Sequence, residues 1–223
     1  MTDVHCHIRG GDPAIRELVC GERFVGVHPW EVASLDAEWT VASLRSRLLA
    51  DPGLGVGEIG LDRLREREIS PRMREVFEAQ LRLGVELGRP VTLHGAKCWG
   101  QVLDAVLRLR PRTSAFLFHG FSRSGGLLPD IARLGGFVSV GPAVLNDHAV
   151  NYRELVKRIP DDCLVLETDR TADDAAECPG IPAVAAKVAE LRGRPLGEIE
   201  ALTDANAERF CDRLPSVSTI SPG

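Results

Sequence analysis

At 223 residues the chain is long enough for one sizeable domain, and α/β barrels occupy about 200–250 residues as a single unit. Hydrophobic residues make up 44% and charged residues 26%, an ordinary globular composition, and no apolar run nears the ~18 residues that a membrane span requires. The net charge of −5 and a pI near 5.7 speak against a broad basic surface for gripping nucleic acid, while leaving room for a basic rim around a site.

The first residues carry neither a basic leader nor an apolar core of about 7–15 residues, so a cytoplasmic location is expected. Short apolar runs closed by turn residues predict strands at Thr2–His7, Arg23–Val27, Leu54–Glu58, Pro90–His94, Ser114–His119, Gly136–Val140 and Cys163–Asp169. Between them, 3.6-residue patterns predict helices over Leu35–Ala50, Arg72–Leu87, Gln101–Leu109, Gly125–Leu134 and Tyr152–Ile159. Two further helices, Ile181–Arg192 and Leu196–Leu214, follow with no strand between them. Strand–helix repetition of this kind implies a parallel sheet with crossover helices. Seven strands are identifiable and an eighth is not. The expected fold is therefore a distorted (β/α)8 TIM-type barrel with an irregular last unit, one domain over residues 1–214, followed by a poorly ordered Ser/Pro tail over 215–223. An open doubly wound sheet is the alternative, but no G-x-G-x-x-G follows the first strand and no Walker-type loop is present.

The histidines fall at strand ends: His5 and His7 on the first, His28 after the second, His94 on the fourth and His119 on the fifth, with His148 elsewhere. In a parallel barrel the carboxyl ends of all strands converge on the face that holds the active site. Alternation along a strand puts His5 and His7 on one face, where both imidazoles can reach one divalent metal. Asp3 shares that face and is placed to orient a ligand. Glu58, in Gly55-Val56-Gly57-Glu58-Ile59-Gly60-Leu61-Asp62, is a carboxylate at a strand end between glycines; the other reading is a capping or surface Glu. Glu167 and Asp169 share a face, with Asp169 the candidate ligand and general base and Glu167 the candidate orienting group. Six scattered cysteines (6, 20, 98, 163, 178, 211) form no C-x-x-C pair, which speaks against a structural zinc site.

In order, Asp3-Val4-His5-Cys6-His7, Gly26-Val27-His28-Pro29-Trp30, Gly57-Glu58-Ile59-Gly60-Leu61-Asp62, His94, His119-Gly120-Phe121-Ser122, Glu167-Thr168-Asp169 and Asn206-Ala207-Glu208-Arg209-Phe210 resemble the blocks of TatD-like metal-dependent hydrolases, within the amidohydrolase-type barrels. The resemblance implies a distorted barrel, two divalent ions (Mg²⁺, Mn²⁺ or Zn²⁺) and hydrolysis of DNA phosphodiesters. It implies that His5, His7 and Asp169 hold one ion, His94 and His119 the second, with Glu58 bridging both. His28 would lie beside the site and touch substrate.

Three departures bear on the substrate. Where the family has an Arg two residues after the fourth-strand His, this chain reads His94-Gly95-Ala96-Lys97, and Lys97 is a point charge rather than a planar fork. Residues 170–182 are shorter than the family's loop and lack its Asn-Glu-Pro segment, and the chain is short for the family. A hydrolase of a small amide, lactone or phosphoester, or a metal-dependent binding protein without catalysis, therefore stand as alternatives to a deoxyribonuclease. Lys97 is a candidate phosphate-facing cation, and Ser122-Arg123-Ser124-Gly125-Gly126 either places backbone amides and Arg123 near an anion or forms a flexible turn into the next helix. Arg63, Arg65, Arg67, Arg72 and Arg74 either ring the mouth or form a solvated helix face, since Glu66, Glu68 and Glu75 interleave with them. Trp30 and Trp99 either stack on a base or pack the rim.

Overall fold

The computed structural model describes residues 1–34, 36–65, 67–109 and 115–212. The expected helix start at Leu35, the strand start at Ser114, Glu66 and the chain from 213 onward, with the Ser/Pro tail, lie outside the described residues. Eight strands are present among the described residues: β1 (Thr2–Cys6), β2 (Arg16–Val19), β3 (Phe24–Val25), β4 (Gly55–Asp62), β5 (Val91–Ala96), β6 (Phe116–Phe118), β7 (Phe137–Val140) and β8 (Leu164–Leu166). The helices are α1 (Ala37–Ala50), α2 (Pro71–Glu86), α3 (Trp99–Leu109), α4 (Leu128–Leu134), α5 (Val150–Arg158), α6 (Ile181–Arg192) and α7 (Leu196–Cys211). No described helix is long and apolar enough to cross a membrane.

All strand pairs are parallel, in a two-stranded sheet β1-β2 and a six-stranded sheet running from β3 to β8 in order. The two ladders do not merge into one continuous closed sheet. A single bridge, Cys20 to Phe24, spans one seam. Past the strand ends, Asp169 N donates to His5 O at 3.0 Å and His7 N to Arg170 O at 2.8 Å across the other. The result is a distorted barrel. The eighth strand, which the sequence did not reveal, is β2. The first unit is irregular, since β1, β2 and β3 follow one another with no α-helix between them, and so is the last, where α6 and α7 follow β8 with no strand between them. β4 also runs four residues beyond the expected end at Glu58.

The main core lies between the strands and the outer helices. Phe77 and Leu81 of α2, Val102 and Val106 of α3, and Val184 and Val188 of α6 are buried there with Ile59, Leu93, Phe118, Val140 and Leu166. Each such side chain contributes about 1.5–3 kcal/mol by leaving water. A smaller core joins Leu18, Phe24, Leu117, Phe137 and Val165 with Phe210 of α7. Leu117, Phe137 and Val165 each precede by two residues, on the same strand face, His119, Ser139 and Glu167. This apolar layer thus sits under the polar one. Phe210 stacks on Phe24 at 5.4 Å, and Asn206 of α7 donates to the carbonyls of Asp161 and Leu164, tying the helix to the start of β8.

Candidate metal centre

Glu58 is placed by an irregularity in its strand. The β4–β5 register runs Val56↔Val91 and then Ile59↔Leu93, so β4 carries one extra residue, a bulge that re-aims the side chain within it. Gly57 has φ 153°, and a Cβ there would lie 2.8 Å from Thr92 Cβ; at Gly60 a Cβ would lie 2.0 Å from the His94 carbonyl oxygen. These two glycines let β5, and His94 with it, come close to Glu58.

Five imidazoles surround the Glu58 carboxylate, which is buried. Oε2 lies 3.4 Å from His5 Nε2 and 3.6 Å from His7 Nε2. Oε1 lies 2.6 Å from both His94 Nδ1 and His119 Nε2, and 3.5 Å from His28 Nε2. Asp169 Oδ1 lies 3.6 Å from His5 Nε2 and 3.4 Å from His7 Nε2. Residues spread from position 5 to position 169 therefore converge on one face, as their strand ends require. Burial opposes the charge on Glu58, but the imidazoles, His119 foremost, hold its carboxyl well below the usual carboxylate range. His119 is in turn raised well above the ordinary imidazole value: burial opposes this, and Glu58 and Glu167 outweigh it. Asp169 is lowered, the imidazoles of His7, His119 and His5 overcoming its burial.

The donors suit a divalent cation. Two ligands about 2.1 Å from a tetrahedral ion stand ~3.4 Å apart. The four contacts joining His5, His7, Glu58 and Asp169 match that edge, and they are too long for hydrogen bonds. His5, 1% exposed, leaves its Nε2 without a hydrogen-bond partner while pointing at two carboxylates. An orphaned buried nitrogen of that kind needs an explanation, and a cation supplies one.

Partners behind the imidazoles set their tautomers. His94 Nε2 meets Asp62 Oδ2 at 3.0 Å, so a neutral ring presents its Nδ1 lone pair to the centre, while the protonated ring, which burial opposes but Asp62 and Glu58 favour, donates to both carboxylates. Asp62 also accepts from Trp30 Nε1, Leu64 N and Arg65 N, and its carboxyl is lowered although burial acts against it. Glu167 Oε2 lies 3.7 Å from His119 Nδ1, beyond hydrogen-bond reach, while its Oε1 accepts from Gly120 N, so Glu167 acts on His119 through charge and through the backbone beside it. His28 is arranged the other way. Its Nδ1 accepts from Trp30 N, so a neutral ring carries its hydrogen on Nε2, facing Glu58 as a donor rather than as a ligand. Buried Gln80 of α2 both accepts from Val27 N and donates to Val27 O, fixing the backbone that delivers His28.

Some expectations are corrected. Asp3 does not orient an imidazole: it accepts from Thr168 N, Thr168 Oγ1 and His5 N, joining β1 to the end of β8. Arg63, Arg65 and Arg67 lie in the connection between β4 and α2, not on a helix; Arg65 sits 5.0 Å over the Trp30 ring. Trp99 is 4% exposed and packs against Phe118 and Phe121, so it presents no stacking face, whereas Trp30 is 52% exposed at the mouth. The partner of His94, Asp62, had no role in the sequence reading; its signal was a carboxylate four residues after Glu58 on the same strand face. The described non-glycine residues with positive φ are Lys97 (58°), Arg123 (62°) and Asp169 (51°), each just past a strand end at the mouth. Such conformations cost about 1–3 kcal/mol and gather at functional sites.

The family model for TatD related DNase matches residues 20–212. The chain belongs to that family. It is accordingly a metal-dependent hydrolase acting on ester bonds. It is 32% identical to a protein of Erwinia tasmaniensis named 3'-5' ssDNA/RNA exonuclease TatD, over 83% of this chain and 76% of that one. It is 25% identical to the metal-dependent hydrolase YabD of Bacillus subtilis, over 83% of this chain and 75% of the relative. Among solved structures, the TatD homologue YjjV of Escherichia coli superposes with a TM-score of 0.78 at 22% identity, covering 94% of this chain and 97% of that chain. The family match begins after His5 and His7, so their place in the site rests on the geometry above.

Proposed function

We propose that this TatD-family hydrolase is a deoxyribonuclease that works on single strands with two divalent ions. The observation that carries the reading is the position of Glu58: Oε2 faces His5 and His7, and Oε1 faces His94 and His119. One carboxylate can thereby serve two ions, one with His5, His7 and Asp169 and the other with His94 and His119. When bound, such ions act as Lewis acids on phosphoryl oxygens and lower the pKa of water from 15.7 to about 7. Mg²⁺, Mn²⁺ and Zn²⁺ all suit this mixed imidazole and carboxylate set.

The chain's own groups have separate tasks. Asp169 is ionised and half-exposed, which suits it to orient the attacking water. Its Oδ1 faces His5 and His7, and its Oδ2 accepts the proton. His28 donates from Nε2 to a substrate oxygen. Lys97 and Arg123, both exposed at the mouth, neutralise phosphate charge. The names of the relatives support nucleic acid as the substrate class.

Full-length protein purified without a histidine tag is incubated with end-labelled single-stranded DNA and Mg²⁺ or Mn²⁺, and its metal content is measured alongside. Cleavage that disappears in His119→Ala and Asp169→Ala, with close to two ions per chain, is the expected result. Fewer than one ion per chain after supplementation defeats the two-ion reading. Uncut DNA with hydrolysis of a chromogenic small ester, lactone or amide moves the substrate to the small-molecule class.

A further inference from the structure

Two open grooves meet at the candidate centre. One, of about 1100 Å³, is lined by the loop after β6, by α5 and by the segment after β8. The other, of about 750 Å³, lies along the loops after β5 and β6. They share Gly120, Ser122, Arg123 and Asp169, so together they form one trough that crosses the site.

Three exposed cations are spaced along it. Lys97 lines the smaller groove, Arg123 stands at the crossing and Arg158 of α5 lines the larger groove. Among the described residues none of the three has an ion-pair partner, in contrast to Arg153 with Asp147 or Lys157 with Glu154 on the same helix as Arg158. Lys97 and Arg123 each have a left-handed backbone, in the loops after the strands that deliver His94 and His119. Arg158 sits beside the loop of Arg123, its Nη1 being 3.5 Å from where a Cβ on Gly125 would lie. The larger groove also holds acids. Glu167 and Asp169 belong to the centre itself, Glu154 is tied to Lys157 and Asp174 to Thr171, which leaves Glu177 on the segment after β8.

We propose that a single-stranded nucleic acid runs through both grooves, with nucleotides bound on both sides of the phosphodiester that is cleaved. Lys97 binds a phosphate on one side, Arg158 binds a phosphate on the other, and Arg123 serves the crossing. This rests on the nuclease reading and extends it by assigning Arg158 to a subsite away from the chemistry. Unpaired cations at intervals along a trough fit a polyanion, whose phosphates repeat along its length, better than a compact ester with a single anionic group.

The test uses the full chain loaded with Mn²⁺ and a ten-nucleotide single strand with cleavage-resistant phosphorothioate linkages, bound in a fluorescence anisotropy titration at several salt concentrations. Each lost phosphate contact lowers the slope of log Kd against log salt by about 0.7 for a single strand. Arg158→Ala is expected to show that smaller slope and a roughly tenfold weaker Kd, and Lys97→Ala the same. In kinetics with unmodified DNA, Arg158→Ala is expected to lower kcat/KM for the oligonucleotide roughly tenfold relative to kcat/KM for thymidine 5'-p-nitrophenyl phosphate. Unchanged slope and unchanged ratio in Arg158→Ala overturn the two-sided path while leaving the nuclease reading standing. A wild-type chain that binds the strand with the expected slopes but cleaves neither substrate upholds the trough and defeats the nuclease reading.

Discussion

The two sides of Glu58 are built alike in residue type and differently in spacing. Around Oε2, the contacts among His5, His7, Asp169 and the carboxylate are 3.4–3.6 Å, the edge lengths of a ligand shell. Around Oε1, His94 Nδ1 and His119 Nε2 both stand at 2.6 Å, and the two nitrogens are 3.3 Å apart. The first side is held open by backbone: Asp169 N donates to His5 O, His7 N donates to Arg170 O, and Asp3 grips Thr168. The second is drawn together by its own charge-assisted hydrogen bonds. Spacing set by the main chain is fixed by the fold, whereas spacing set by side chains changes with their rotamers. Under the two-ion proposal, the His5–His7 side is ready for its ion and the His94–His119 side must open.

The largest effect belongs to the atom group both sides share. Glu58→Gln removes the charge that faces all five imidazoles and is expected to lower kcat/KM by more than roughly 10³-fold and to abolish binding of both ions. Retention of one tightly held ion, measured by elemental analysis, would break the idea that Glu58 serves both sides.

The asymmetry itself predicts two phases in a metal titration. Opening short hydrogen bonds costs about 1–3 kcal/mol, so the second phase is expected roughly ten- to hundredfold weaker. His7→Ala is expected to remove the tighter phase in calorimetry and His94→Ala the weaker one. The opposite assignment reverses the comparison.

Orienting carboxylates come next. Asp62→Asn, which weakens the 3.0 Å contact behind His94, is expected to cost 10–100-fold in metal affinity on the His94–His119 side. Glu167→Gln acts across 3.7 Å and is expected to cost less. Equal losses on both sides of Glu58 would mean that the two are not separable.

The smallest effect concerns the seam that holds the open side. Burial pushes the Asp3 carboxyl up from 3.8 to about 6, against its hydrogen bonds from Thr168. Because the folded value exceeds the unfolded one, the folded chain holds more protons between pH 4 and 6, and raising the pH through that window costs stability. Above it, the ionised group costs about 3 kcal/mol at most. In urea unfolding of metal-free protein, Asp3→Asn is therefore expected to gain on the wild type by about 1–3 kcal/mol between pH 4 and 7. A constant difference across that range would place the cost elsewhere.

Much of the site was legible because it depends on periodicity. Alternation put His5 with His7 and Glu167 with Asp169, and short apolar runs marked where β5, β6 and β8 end. β2 was not legible: four residues beginning Arg16-Glu17, joined to β1 without a crossover helix, carry neither an apolar run nor the strand–helix rhythm. The extension of β4 was hidden by glycines that read as a turn and in fact permit the close approach of β5. Asp62 lay in view with no role, since nothing local distinguishes a carboxylate behind an imidazole from one at a surface turn.

What the sequence determined by itself was the set of donors and the face they share, because strand periodicity and a parallel topology act through the chain's own spacing. Which nitrogen of His94 and of His28 faces the centre, how far apart the donors stand, and that Lys97, Arg123 and Arg158 line one trough were decided only by the tertiary structure. Those relations join loops and helices with no fixed sequence separation, and distances of a few ångströms between them depend on packing that no local pattern encodes.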